Sequence, residues 1–315
     1  MDSGFLIVCL AGFFFGTLGI AGRYIGDTYG LGPLAIGAWR ILVATPALLL
    51  IASANGALRL VVERTRLHRG VAWRIAAFGG CIVAYQVGFF NAIQRTRVST
   101  ATMIALCTVP VFVAVISTAT GMERLTRRTL SALALSVAGI ILLSSGDTRA
   151  ILDPSCIVGN VFALLAGISC AGLTLFGKAL VRILPSIGVT ASAFSVATVL
   201  ALPLVDTPRD LPLYGWLAIL YMGIVSTALG YGLFNYGLSK TSPTAVSIAI
   251  FVEPLTATLL SVLLLKERLS PGNTVGIALL LASLVIMSLP TRLRDRASPP
   301  HHGRTVRTPG EQASS

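Results

Sequence analysis

Ten stretches of about 20 mainly apolar residues follow one another along this chain, with short connections between them. A run of that length crosses the hydrocarbon core of a bilayer as a helix, because a helix satisfies its backbone N–H and C=O groups internally where no water is present. A 315-residue chain spent this way has no length left for a soluble catalytic domain. Charge agrees with that reading: Asp, Glu, Lys and Arg make up 11% of the residues, against about 25% in an ordinary soluble domain. The fold class expected is all-α integral membrane.

The ten helices are expected at about Phe5 to Tyr24, Leu34 to Ala52, Ile75 to Thr96, Val98 to Thr118, Arg127 to Ser145, Ile157 to Leu180, Val189 to Val205, Tyr214 to Ser239, Thr244 to Leu265 and Pro271 to Leu289. Arg59, Arg64, Arg66, Arg69 and Arg74 read as a basic loop after the second. Thr126 and Ser270 are placed to accept free amide hydrogens at the starts of the fifth and tenth, and Pro271 suits a first helical turn. Residues 291 to 315 are polar, basic and Pro-containing, and read as a disordered tail.

Phe90 to Leu125 reappears as Phe234 to Leu269, 144 residues later: Phe90, Asn91, Thr100, Ile104, Pro110, Ser117 and Glu123 recur as Phe234, Asn235, Thr244, Ile248, Pro254, Ser261 and Glu267. Earlier in the chain the offset is 155, setting Phe15, Gly16 and Arg23 against Cys170, Ala171 and Lys178. The chain therefore divides into a first repeat (1–145), a second repeat (146–290) and the tail. With five helices per copy, the second copy enters from the opposite side. The expectation is ten transmembrane helices as two inverted five-helix repeats, a construction that places a solute site near the midplane.

Orientation follows from the basic residues. With both termini in the cytoplasm, sixteen of the 24 Lys and Arg fall on that side and seven on the other. The N-terminus has no basic leader and its first run is of full span length, so it reads as a retained helix. The net charge of +12 is then a topology signal, and no nucleic acid partner is expected. Five scattered cysteines without C-x-x-C spacing read as packing residues, and three histidines in loops and tail suggest no metal site. No phosphate-binding G-x-x-x-x-G-K-[ST] loop occurs, so no nucleotide cofactor is expected and a gradient must drive any transport. An enzyme fits poorly, since the helices hold no paired carboxylates or nucleophile and base.

Glu253 is the sharpest candidate. A charged carboxylate at membrane depth is costly and is retained mainly where it faces a cavity or partner, which suits substrate binding or proton coupling; bracing of the bend at Pro254 is the alternative. Arg40 lies about 10 Å along its helix from Pro33 and can reach a substrate anion or snorkel to the interface. Pro110 and Pro254 bend their helices by freeing the carbonyls of Leu106 and Ile250. Tyr85 and Phe89 share a face at i, i+4, as do Tyr231 and Asn235. Gln86, Asn91 and Asn235 are amides in apolar helices, read as cavity lining or as interhelical hydrogen bonds. Glu123 and Glu267 read as interfacial charges that fix helix depth, with a gating ion pair as the alternative.

The segments PLAIGAWR at Pro33, GNVFALLAGISCA at Gly159 and YMGIVSTALGYGLFNYGLSKTSPT at Tyr221, with the paired GMERLT and LKERLS endings, resemble the EamA-type branch of the drug/metabolite transporter superfamily. The resemblance covers about Phe5 to Leu289. It implies two inverted five-helix bundles, alternating access around a central cavity, and transport of amino acids, other metabolites or toxic small molecules, often outward. Glu253-Pro254 resembles the branch that includes amino-acid exporters, whereas Phe15 and Cys170 stand where the family often has Trp. The expectation is a multi-pass plasma-membrane exporter of small metabolites, with export of hydrophobic cations as the alternative. A homodimer is compatible with the sequence.

Overall fold

The computed structural model describes residues 3–96, 98–143, 153–206, 211–266 and 269–289; the described residues hold no strand. The helices are α1 (Ser3–Tyr29), α2 (Pro33–Ala54), α3 (Ala57–Leu67), α4 (Arg69–Arg95), α5 (Val98–Ala119), α6 (Arg127–Leu143), α7 (Ile157–Val181), α8 (Ser186–Ala201), α9 (Leu213–Tyr221), α10 (Gly230–Lys240), α11 (Pro243–Ala249), α12 (Val252–Leu265) and α13 (Pro271–Ser288). A π-helical segment, Met222–Leu229, joins α9 to α10 as one span, and α11 with α12 forms another. Nine spans among the described residues are long and apolar enough to cross a membrane. The tenth is α6, whose 17 described residues give about 26 Å of helix, within the range that spans a bilayer.

The packing obeys the inverted repeat. Small residues on α1 and α7 let neighbouring backbones approach: a Cβ on Gly12 would lie 3.1 Å from Val252 Cβ, and one on Gly167 would lie 2.6 Å from Thr108 Cβ. Gly12 and Gly167 are 155 apart and Thr108 and Val252 are 144 apart, so both offsets meet in one contact made twice. In the same way Gly4 packs on Lys240 and Gly159 on Thr96. The remaining pairs, α2 with α8 and α6 with α13, each join one repeat to the other.

The α6–α13 pair is clamped at both ends. Arg128, in the first turn of α6, donates to the carbonyls of Ile286 (2.7 Å) and Met287 at the end of α13. Asn273, in the first turn of α13, donates to the carbonyl of Leu143 at the end of α6 (2.8 Å). Between the clamps, a Cβ on Gly276 would stand 2.7 Å from Gly139 O, and one on Gly139 would stand 2.8 Å from Leu280 Cγ.

The expected caps are present. Thr126 Oγ accepts from Thr129 N–H (3.2 Å), and Ser270 forms a reciprocal capping box with Asn273 ahead of Pro271. Two expectations are corrected. The basic loop after the second span is the amphipathic helix α3 followed directly by α4, because Ala57 and Val61 bury one face against Gly188 of α8. The ninth span is broken rather than bent. The carbonyl of Ile250, denied a partner at Pro254, accepts the Glu253 N–H instead (2.8 Å), and Ile250 and Phe251 stand between α11 and α12. Glu267, Arg268 and the tail 291–315 lie outside the described residues, as does most of the link between the repeats.

Candidate functional site

A cavity of about 670 Å³ lies between the repeats. Its wall runs from Ser247, Ile250 and Glu253 at mid-depth to the turn Gly30–Pro33, where Arg23, Asp27, Gly32 and Pro33 are exposed. That mouth is on the face opposite the N-terminus. Toward the N-terminal face the cavity is closed: all seven residues of α11 are buried, and Phe5, Val8 and Leu238 are at 2% exposure or less, with a separate hollow lined by Glu123, Lys178 and Pro243 beyond them.

The break between α11 and α12 positions Glu253. It sits in the first turn of α12, at the positive end of the helix dipole, which favours a carboxylate. Helix α1 crosses directly over this break, because Gly12 and Gly16 carry no side chain; a Cβ on Gly16 would be 2.7 Å from Glu253 O and 2.5 Å from Thr256 Cβ. Among the described residues no hydrogen bond or ion pair reaches the Glu253 carboxyl group, which faces the cavity. Bracing of the Pro254 bend by that carboxyl is therefore not seen.

Arg40 enters the cavity from the other repeat and does not snorkel. Its Nε and one terminal nitrogen both donate to Gln86 Oε1, at 3.2 and 2.7 Å. Gln86 is 3% exposed and can approach because position 37, one turn before Arg40, is glycine. The amide thus holds the guanidinium in place and leaves its remaining donors toward the cavity. Arg40 also lies within electrostatic range of Glu253, with no ion pair joining them among the described residues.

Aromatic rings complete the wall. Tyr85 and Phe89 stack at 6.0 Å and 20°, and Tyr231 packs on Phe15 and Phe194 at 4.9 Å each. Of the sequence-predicted site residues, the structure brings Arg40, Tyr85, Gln86, Phe89, Tyr231 and Glu253 together. It does not bring Asn91 or Asn235. Asn91 bonds its own helix at Val87 O (2.8 Å) and accepts from Arg95; fully buried Asn235 donates to Thr190 of α8 (3.0 Å). Pro110 and Pro254 stand behind the wall, which Val109 and Glu253 form. Phe90, Met222 and Ser247 also line the cavity, although the sequence alone does not point to them. Neither Met222 nor Ser247 carries a signal in the sequence.

The sealed face carries its own polar lock. Glu123, just beyond α5, accepts Ser117 Oγ (2.6 Å), the backbone N–H of Thr244 (3.2 Å) and the Thr244 hydroxyl. It therefore joins the end of a first-repeat helix to the first turn of second-repeat helix α11, rather than pairing with its neighbour Arg124. Beside it, buried Lys178 donates to Leu238 O in the last turn of α10 and to Thr241 O just beyond it (2.7 Å each).

Inverted repeats around a small-molecule cavity, open at one membrane face and sealed at the other, define a multi-pass membrane transporter. The chain belongs to the EamA-like transporter family, which matches residues 2–145 and 157–289. It is 31% identical over 305 residues to the uncharacterized transporter YwfM of Bacillus subtilis, covering 94% of this chain and 97% of that one. It is 24% identical to the uncharacterized inner membrane transporter YicL of Salmonella typhimurium (94% and 98% covered). A chloroplastic WAT1-related protein of Arabidopsis thaliana is 27% identical, with 88% and 67% covered. One solved crystal structure superposes with a TM-score of 0.74 at 17% identity, over 91% of this chain and 97% of that one, a likeness of fold.

Proposed function

We propose that this transporter exports small amphoteric metabolites, amino acids among them, across the plasma membrane by alternating access, with Glu253 coupling the step to protons. The observation that carries the reading is the pair of opposite charges contributed to one aromatic-walled cavity by the two repeats, Arg40 and Glu253. A fixed guanidinium suits a carboxylate, a carboxylate suits an ammonium, and the rings suit the apolar remainder of such a solute. A carboxyl group with no hydrogen-bond or ion-pair partner among the described residues, in a cavity open to one face, is placed to take up a proton or a substrate amine. With both termini in the cytoplasm, the present open face is the outer one.

The test is a thermal-stability screen of the purified protein, because a ligand of the folded state raises its apparent stability. The expected result is stabilisation by amino acids or related zwitterions, followed by counterflow of the same compounds in proteoliposomes. Stabilisation by hydrophobic cations alone, lost in Glu253→Gln, would replace this reading with a multidrug exporter.

A further inference from the structure

The offset between the repeats falls from 155 to 144 after the second span, a difference of 11 residues, and α3 is 11 residues long. Helix α3 has no helical counterpart among the described residues of the second repeat's corresponding link beyond the 3-10 turn Leu202–Leu204, and it lies on the face of the chain's N-terminus, at the end of α2. Its inner side, Ala57 and Val61, is buried on α8. Leu60, Arg64 and Leu67 stand at i, i+4 and i+7 and so form one stripe on an outer flank; Leu60 is 50% exposed and Leu67 74%. Nearby Trp73, in the first turns of α4, is exposed while its ring packs edge-on to Phe176 at 5.3 Å. Exposed leucines beside an interfacial tryptophan mark the level where acyl chains meet headgroups.

Most basic side chains of this region have no partner among the described residues. Arg59 pairs with Glu63 (2.9 Å), but among the described residues the side chains of Arg64, Arg66 and Arg69 have no hydrogen-bond or ion-pair partner. The contrast with the same face elsewhere is sharp: Arg128, Lys178 and Arg182 all hold backbone carbonyls.

We propose that α3 is an in-plane helix that docks on anionic phospholipid headgroups, with Arg64, Arg66 and Arg69 taking their phosphates and Leu60 and Leu67 dipping into the acyl boundary. The proposal is independent of what the cavity carries. Basic side chains at an anionic leaflet each contribute on the order of a fivefold preference, and salt screens it.

Hydrogen exchange of the full chain in lipid nanodiscs tests this. In phosphatidylcholine mixed with phosphatidylglycerol, the α3 amides are expected to exchange about tenfold more slowly than in phosphatidylcholine alone. The difference should vanish in R64Q/R66Q/R69Q and persist in R64K/R66K/R69K. Equal exchange in the two lipids, or a difference that survives the Gln substitutions, overturns the proposal. Equal protection by soluble polyglutamate in pure phosphatidylcholine also overturns it, making α3 a dock for an acidic protein. If the Gln variant does not fold, the wild type decides: loss of the lipid difference at high salt supports the proposal, and its persistence refutes it.

Discussion

Substituting Thr244 by Val removes the hydroxyl that reaches Glu123 while keeping the branched shape of a residue with no exposed surface. The two residues belong to different repeats and meet at the sealed face, so α5 and α11 must part for that face to open. The bond therefore stabilises the present state and not the alternative. A hydrogen bond to a charged group contributes about 1.5 to 3 kcal/mol, or roughly a 10- to 100-fold bias between two states. Because the Thr244 backbone N–H and Ser117 Oγ still reach the carboxylate, the expected shift is at the lower end, about tenfold. The assay uses Cys170, which lines the cavity, in a chain whose other four cysteines are replaced by Ala. In sealed vesicles, an impermeant maleimide added on the side of the termini should label Cys170 about tenfold faster in Thr244→Val. Glu123→Gln should act in the same direction, and the double variant should add less than the two single effects together, since both break one contact. Labelling from that side unchanged in a Thr244→Val protein of normal thermal stability would refute the reasoning.

Two other outcomes are expected. Gly37→Ala would set a methyl group 1.6 Å from Gln86 Nε2, forcing Gln86 off Arg40; apparent KM for a carboxylate-bearing substrate should rise about tenfold while the maximal rate changes less, and an unchanged KM would show that the clamp is irrelevant to binding. Glu253→Gln should flatten the pH dependence of flux driven by a proton gradient and leave counterflow measurable; a pH profile like that of the wild type would remove Glu253 from coupling.

Much of the architecture was legible because membrane helices leave coarse traces in sequence. The apolar runs located the spans, the two offsets disclosed the inversion, and Thr126 and Ser270 announced their caps. The cost of a charge in hydrocarbon was enough to single out Arg40 and Glu253, and both line the cavity. What was not legible depended on finer choices. Asn91 and Asn235 occupy equivalent positions, yet each found a partner away from the cavity, because rotamer and neighbour decide where an amide points. Pro110 and Pro254 are equivalent too, but α5 runs through its proline while the other span breaks before it. The π segment has no compositional mark. Helix α3 did leave a trace, in the spacing of Ala57 from Val61 and in the 11-residue change of offset, but its arginines outweighed six apolar positions too few to define a span.

The clamped pair α6 and α13 bears on how such a molecule can move. Neither helix contributes a residue to the cavity, one comes from each repeat, and each holds the other's final carbonyls. If the repeats rock to exchange the open face, this pair is placed to serve as their axle. Rearrangements that exchange the open face can tilt the remaining helices about it without breaking its contacts, so the opening of one side and the closing of the other become two ends of a single rocking motion. Bulk added at Gly139 or Gly276 would spread the axle, and its effect would be felt at both faces together although neither lies near the substituted residue.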